Sequence, residues 1–140
     1  MLIKKTELVF EFEYDFLLYG IVSQEKPYRL AWLFNKIHPY NFVRIEDYEL
    51  EIIGKQLVLA QYLFIDEENH TNYFLIANKD DNNHLLPELK NFDFILIIKG
   101  ALDFFEEVQL KGAIKKISAV QIIYPIEVDK LKSKNHLIYV

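Results

Sequence analysis

The sequence contains no cysteine. That excludes disulfides, thiolate nucleophiles, cysteine-bound zinc and iron–sulfur clusters. Glycine is scarce, and Gly20, Gly54, Gly100 and Gly112 stand far apart. A phosphate cradle needs closely spaced glycines, so Walker, kinase and dinucleotide loops are disfavoured. The serines are Ser23, Ser118 and Ser133, and none sits in a G-x-S-x-G elbow. His38, His70, His84 and His136 form neither an H-x-H nor an H-E-x-x-H pair, so no metal centre is written locally. No apolar run approaches the roughly 18 residues that a membrane helix needs. Phe16–Val22 is broken by Gly20, and Phe92–Ile98 by Asp93. Lys4 and Lys5 imitate the start of a signal peptide, but Glu7, Glu11, Glu13 and Asp15 break up the apolar stretch such a peptide needs. The expectation is a soluble, cytoplasmic protein with no cofactor, no bound metal and no membrane segment.

What is present is core material. Of 140 residues, 51% are hydrophobic and 15% aromatic, enough for one domain over residues 1–140 to fold without staples. Leu8, Phe10, Phe12 and Tyr14 alternate with acidic residues, which predicts a half-buried strand. Phe16–Val22 continues as a strand, a buried element or a short helix, and periodicity does not choose between them. Leu30, Ala31, Leu33, Phe34 and Ile37 carry helical spacing, which predicts a helix over Glu25–His38 with Pro27 in its first turn and Pro39 ending it. Strands are expected over Asp47–Ile52, Gln56–Ile65 and Tyr73–Asn78, then a central strand over Phe92–Lys99. Asp103 and Glu106 have capping-box spacing for a second helix ending near Ile117. Its apolar face would take Phe104 or Phe105, Val108, Leu110, Ala113, Ile114 and Ile117. Ala119–Ile126 is the last strand. The pattern predicts an α+β fold, a largely antiparallel sheet of five or six strands with both helices on one face.

Charge is unevenly placed. Residues 1–107 hold ten Lys/Arg against nineteen Asp/Glu, a net of −9. Residues 108–140 hold six lysines against Glu127 and Asp129, a net of +4, so residues 127–140 read as a lysine-rich tail. Such a tail neutralises the body or offers a basic surface to RNA or an anionic protein. Nucleic acid is not the expected partner of so acidic a chain. Tyr28, Arg29, Trp32 and Lys36 come closest to a base-stacking platform. The loop from Asn78 to Leu89 has alternating oxygen donors, but Asn83 replaces the glycine of a calcium loop and Leu89 its bidentate glutamate. The pairs Glu11 with Glu13 and Glu49 with Glu51 fit the wet face of a sheet better than acid–base chemistry.

The segment Leu86-Pro-Glu-Leu-Lys-Asn-Phe-Asp-Phe94 resembles the IPExxxVDY family of bacterial proteins. Pro87, Glu88 and Asp93 match the motif outright, and Leu86, Phe92 and Phe94 replace its Ile, Val and Tyr. Tyr28–Asn35 and Leu131–Leu137 are similar to that family as well. The resemblance implies no activity, cofactor or functional residue. Asp93 faces away from Phe92 and Phe94 on a buried strand, where a carboxylate needs a partner. Arg29, Asn35, Glu88 and Asp93 are thus the candidates for a polar network or a dispersed site. Three readings compete. The first is a non-catalytic interaction or scaffold domain, with a protein partner or a homodimer joined by a sheet edge or helix face. The second is a small enzyme or ligand-binding protein in which those four side chains converge. The third is RNA or ribosome association through the tail.

Overall fold

The structure is a computed structural model and describes residues 14–140. Apart from Tyr14, the strand expected over Leu8–Tyr14 lies outside the described residues. The chain is an α+β fold in three layers, built on a six-stranded antiparallel sheet. The order of elements is β1 (Leu17–Ser23), α1 (Pro27–Asn35), β2 (Val43–Arg44), β3 (Tyr48–Ile52), β4 (Lys55–Leu59), β5 (Gln61–Asp66), β6 (Thr71–Ala77), β7 (Lys79–Asp80), β8 (Asn83–His84), β9 (Phe94–Gly100), α2 (Glu107–Lys115) and β10 (Val120–Ile126). The main sheet runs β10-β1-β9-β6-β5-β2, and the hairpins β3–β4 and β7–β8 stand apart from it.

Alternation along the strands divides the interior. Tyr19, Ile21, Phe64, Tyr73, Leu75, Phe94, Leu96 and Ile98 face one side, where Leu30, Ala31 and Phe34 of α1 and Leu110 and Ile114 of α2 cover them. Both helices therefore pack on one face. Leu18, Ile76, Ile95 and Ile97 point the other way, against Tyr48, Leu57, Leu59, Leu85 and Leu86. The run Phe94–Ile98 is buried throughout because it is covered on both sides. Gly20 lies under the ring of Phe92, and a Cβ there would come within 2.6 Å of it, so the strand needs glycine at that point.

Three expectations need correction. The single strand over Gln56–Ile65 is two strands in different sheets, with Ala60 between them. Leu57 and Leu59 fill the second face while Tyr62 and Phe64 fill the first, so the chain changes layer there. The second helix begins at Glu107, and its N-cap Glu106 makes no side-chain capping bond, so the Asp103–Glu106 box does not form. Val108 is exposed rather than part of the helix's apolar face, and of Phe104 or Phe105 it is Phe105 that packs against the core while Phe104 is exposed. The lysine-rich residues 127–140, where a turn of helix after Asp129 is an expectation of the sequence, pack onto the domain. They form two short helical turns, Val128–Lys130 and Lys134–Leu137, and bury Val128, Leu131 and Leu137 against the second face.

A candidate ligand cleft at one end of the sheet

The four candidate residues do not converge. Arg29 lies on the outer face of α1, where Nε pairs with Glu25 Oε1 at 3.1 Å and the guanidinium lies 5.2 Å from the Trp32 ring. Lys36 Nζ sits 3.8 Å from the same ring, so Trp32 is flanked by two cations. Asn35 brackets Phe42: its Nδ2 donates to Phe42 O at 2.9 Å and its Oδ1 accepts from Phe42 N at 2.7 Å. Asp93 Oδ2 accepts from Ser23 N at 2.9 Å, ending β1. Glu88 holds the C-terminal segment through Ser133, accepting from its N–H at 2.9 Å and from its hydroxyl. Each has a separate structural partner.

The Leu86–Phe94 segment is organised by a residue that nothing in the sequence pattern singles out, Asn78. It is fully buried. Its Nδ2 donates to Leu89 O at 2.9 Å and Phe92 O at 3.0 Å, and its Oδ1 accepts from Leu86 N at 2.9 Å. Its own backbone binds Asp93 O and Leu85 N. His136 Nδ1 donates to Leu85 O at 2.7 Å, and Tyr48 Oη donates to His136 O at 2.5 Å, which ties the C-terminal segment to the same loop.

Burial raises the Glu88 pKa, but hydrogen bonds from the Ser133 hydroxyl and nearby backbone N–H groups outweigh it, and the net shift is downward. A lowered folded pKa contributes stability above the unfolded value, and that contribution fades as pH falls through the folded one. Between roughly pH 5 and pH 3, the wild-type protein is expected to lose more stability than Glu88→Gln. Urea midpoints at several pH values check this, and parallel curves for the two proteins would contradict it.

The cleft lies elsewhere. Thr71 pairs with Gly100 at one end of β6 and β9, and Ala77 pairs with Phe94 at the other. Six residue steps along the strand separate the two ends by roughly 20 Å. At the Thr71 end, three segments enclose about 540 Å³. Pro39 and Tyr40 come from the turn after α1, Asp66 to Tyr73 from the β5–β6 hairpin, and Ala101 to Leu110 from the β9–α2 connection. Asn35 contributes indirectly, because its grip on Phe42 closes the turn that carries Tyr40. The Tyr40 ring is fixed edge-on to Tyr73 at 5.9 Å and to Phe64 at 5.7 Å.

Asp66 is buried, and its carboxylate accepts from Asn69 N at 3.3 Å and Asn69 Nδ2 at 2.8 Å, which shapes the hairpin loop. Gly100 has φ +119°, and a Cβ there would lie 2.3 Å from His70 O, the carbonyl that accepts from Ala101 N at 3.0 Å. Thr71 is 3% exposed, and its hydroxyl, shut off from solvent, makes no hydrogen bond of ordinary length; a longer one to Tyr73 opposes the rise in that residue's pKa. Burial is the main reason that Tyr40 and Tyr73 are both raised, and the charge of Asp66 adds to it.

None of these lining residues stood out in the sequence. Asp66–Asn72 reads as an ordinary polar hairpin loop, and Tyr40 as the residue after a helix stop. One available signal was the Phe104-Phe105 pair, since a helical stripe needs only one of them. Among the described residues, no group of three His, Asp or Glu is placed to hold a metal ion, and no helix is long and apolar enough to cross a membrane. No family model matches the chain, and neither does any curated protein or solved structure.

Proposed function

We propose that this chain is a non-catalytic binding domain that takes a small ligand in the cleft between the β5–β6 hairpin and the β9–α2 connection. The observation that carries this reading is the cleft itself, lined by Tyr40, Tyr73, Phe104 and Phe105 together with polar residues of the β5–β6 hairpin. The volume suits a small molecule, since such sites typically span roughly 300–1,000 Å³. Burial keeps Tyr40 and Tyr73 protonated, so the cleft presents phenol hydroxyls, not phenolates, to a bound ligand. Within this reading, the Leu86–Phe94 segment, which carries the resemblance to IPExxxVDY proteins, serves the fold at the opposite end of the sheet.

The test is saturation-transfer NMR of the protein in a small-molecule cell extract. Signals are expected with the wild type and should vanish with Gln109→Trp, which fills the cleft mouth from the exposed side of α2. Signals that persist in a folded Gln109→Trp, or that are absent from both proteins, would overturn the cleft assignment. Chemical conversion of the bound compound would overturn the non-catalytic part.

A further inference from the structure

We infer that β10 is the contact strand of a homodimer, pairing antiparallel with β10 of a second copy about a two-fold axis at Ile123. The inference is independent of the cleft, none of whose lining residues lies on β10. β10 closes one side of the main sheet, and among the described residues no strand pairs with its outer side. The pairing on its inner side decides which backbone groups face outward. Ile21 O accepts from Asp93 N, so Ile21 turns toward the β9 side while Gly20 and Val22 turn toward β10. Their partners there are Tyr124 and Ile122. Gln121, Ile123 and Pro125 therefore point their backbone groups away from the sheet. Pro125 sits where its missing N–H leaves no bond to β1 unmade.

The occupant of this edge is a second copy of the chain. Sheet edges are commonly guarded by charged side chains or by being very short. β10 is neither, with seven residues, Val-Gln-Ile-Ile-Tyr-Pro-Ile, and no charge among them. The opposite edge, β2, has two residues and carries Arg44. Copies cannot add head to tail through so short a strand, and β10 against β10 closes as a two-fold dimer. Charge beyond the strand fits the same arrangement. Lys115 and Lys116 precede it, whereas Glu127, Asp129 and Lys130 follow it, with Lys130 held by Glu127 at 2.6 Å. Antiparallel pairing sets the basic end of each strand beside the net acidic end of its mate.

The side chains and the proline choose the register. With the axis at Ile123, that residue exchanges two backbone bonds with its mate, and Gln121 N–H of each copy donates to Pro125 O of the other. The proline nitrogen then stands at the end of the new ladder, not in its middle. Ile123 packs on the first core face and Ile126 on the second, so Ile122 and Tyr124 lie on the second face as well. They are 52% and 58% exposed. In this register Ile122 of each copy lies directly opposite Tyr124 of the other, a β-branched side chain against an aromatic ring, made twice.

Sedimentation of the full chain is expected to show a species of twice the 16.7 kDa of one chain, dissociating on dilution. Ile122→Lys combined with Tyr124→Lys puts like charges opposite each other in both pairs and should weaken the dimer by roughly tenfold or more. Ile122→Lys combined with Tyr124→Glu makes the same pairs complementary and should stay dimeric, which separates repulsion from damage to the fold. The absence of cysteine allows a direct reading of register. Ile122→Cys and Tyr124→Cys proteins, oxidised as a mixture, should link far faster than either alone, because only the mixed pair lies directly opposite. A monomer at every concentration, the result if residues 1–13 cover the edge instead, would overturn the inference. So would a dimer that the two lysine substitutions leave intact, loss of the dimer in the opposite-charge variant, or links that form equally fast in the unmixed proteins.

Discussion

Replacing Asn78 with alanine is expected to remove about 3–5 kcal/mol of stability, a large share of the roughly 5–15 kcal/mol that holds a domain folded. The change strips two carbonyls, Leu89 O and Phe92 O, and the Leu86 N–H of their side-chain partner. Asn78, Leu85 and Leu86 are all fully buried, so the change leaves a cavity where the amide stood. Asn78→Asp separates the hydrogen bonds from the volume. The aspartate keeps the shape and can still accept from Leu86 N, but it turns a carboxylate oxygen toward two carbonyl oxygens. It should be at least as destabilising near neutral pH and should recover part of the loss on acidification, when a protonated carboxyl can donate once. Urea unfolding of both variants at two pH values measures this. A loss under about 1 kcal/mol for Asn78→Ala would show that the loop holds itself without the amide.

The same substitution made at two glycines is expected to have opposite signs. Gly100→Ala places a Cβ 2.3 Å from His70 O and 3.1 Å from Thr71 Cα, at a φ of +119° that an L side chain resists. Backbone, not a flexible side chain, must move, and a loss of about 3 kcal/mol is expected. Gly112→Ala meets nothing within 4 Å and lies on the exposed side of α2, so it should stabilise by about 0.5–1 kcal/mol through helix propensity alone. Thermal or urea unfolding of the pair is the check, and two changes of equal sign would sink the argument. Because Gly100 touches the hairpin beside the cleft, its alanine variant should also shift amides between His70 and Tyr73, whereas Gly112→Ala should leave them in place.

Much of the fold was legible because it derives from period. The spacing of Leu30, Ala31 and Phe34 predicts α1, and the unbroken run after Asp93 predicts a strand covered on both sides. The break at Ala60 was not legible. No glycine or proline interrupts Leu57–Phe64, and a strand that changes layer alternates in the same way as one that does not. Asn78 was hidden for a different reason. It stands next to Lys79-Asp-Asp-Asn-Asn, where one more asparagine looks like loop. Charge drew attention to Arg29, Glu88 and Asp93 instead, and each is met by a local partner. The cleft draws on three segments distant in sequence, and no one of them carries a pattern that points to the other two.

The antiparallel register also sets an order of assembly. β5 and β6 are joined by a four-residue turn and can zip as they emerge. β1 cannot, since its neighbours are β9, with Leu17 opposite Ile98, and β10, with Leu18 opposite Ile126. A chain leaving the ribosome at roughly 5–20 residues per second therefore holds its first described strand unpaired until most of the domain has been made. The second face is completed later still: Tyr48, Leu57, Leu59, Leu85 and Leu86 cover part of it, and Val128, Leu131 and Leu137 arrive last. Such long-range closure belongs to slow-folding topologies, and it makes the interval before residues 128–137 dock the period when Leu18, Ile95 and Ile97 are most open to wrong partners.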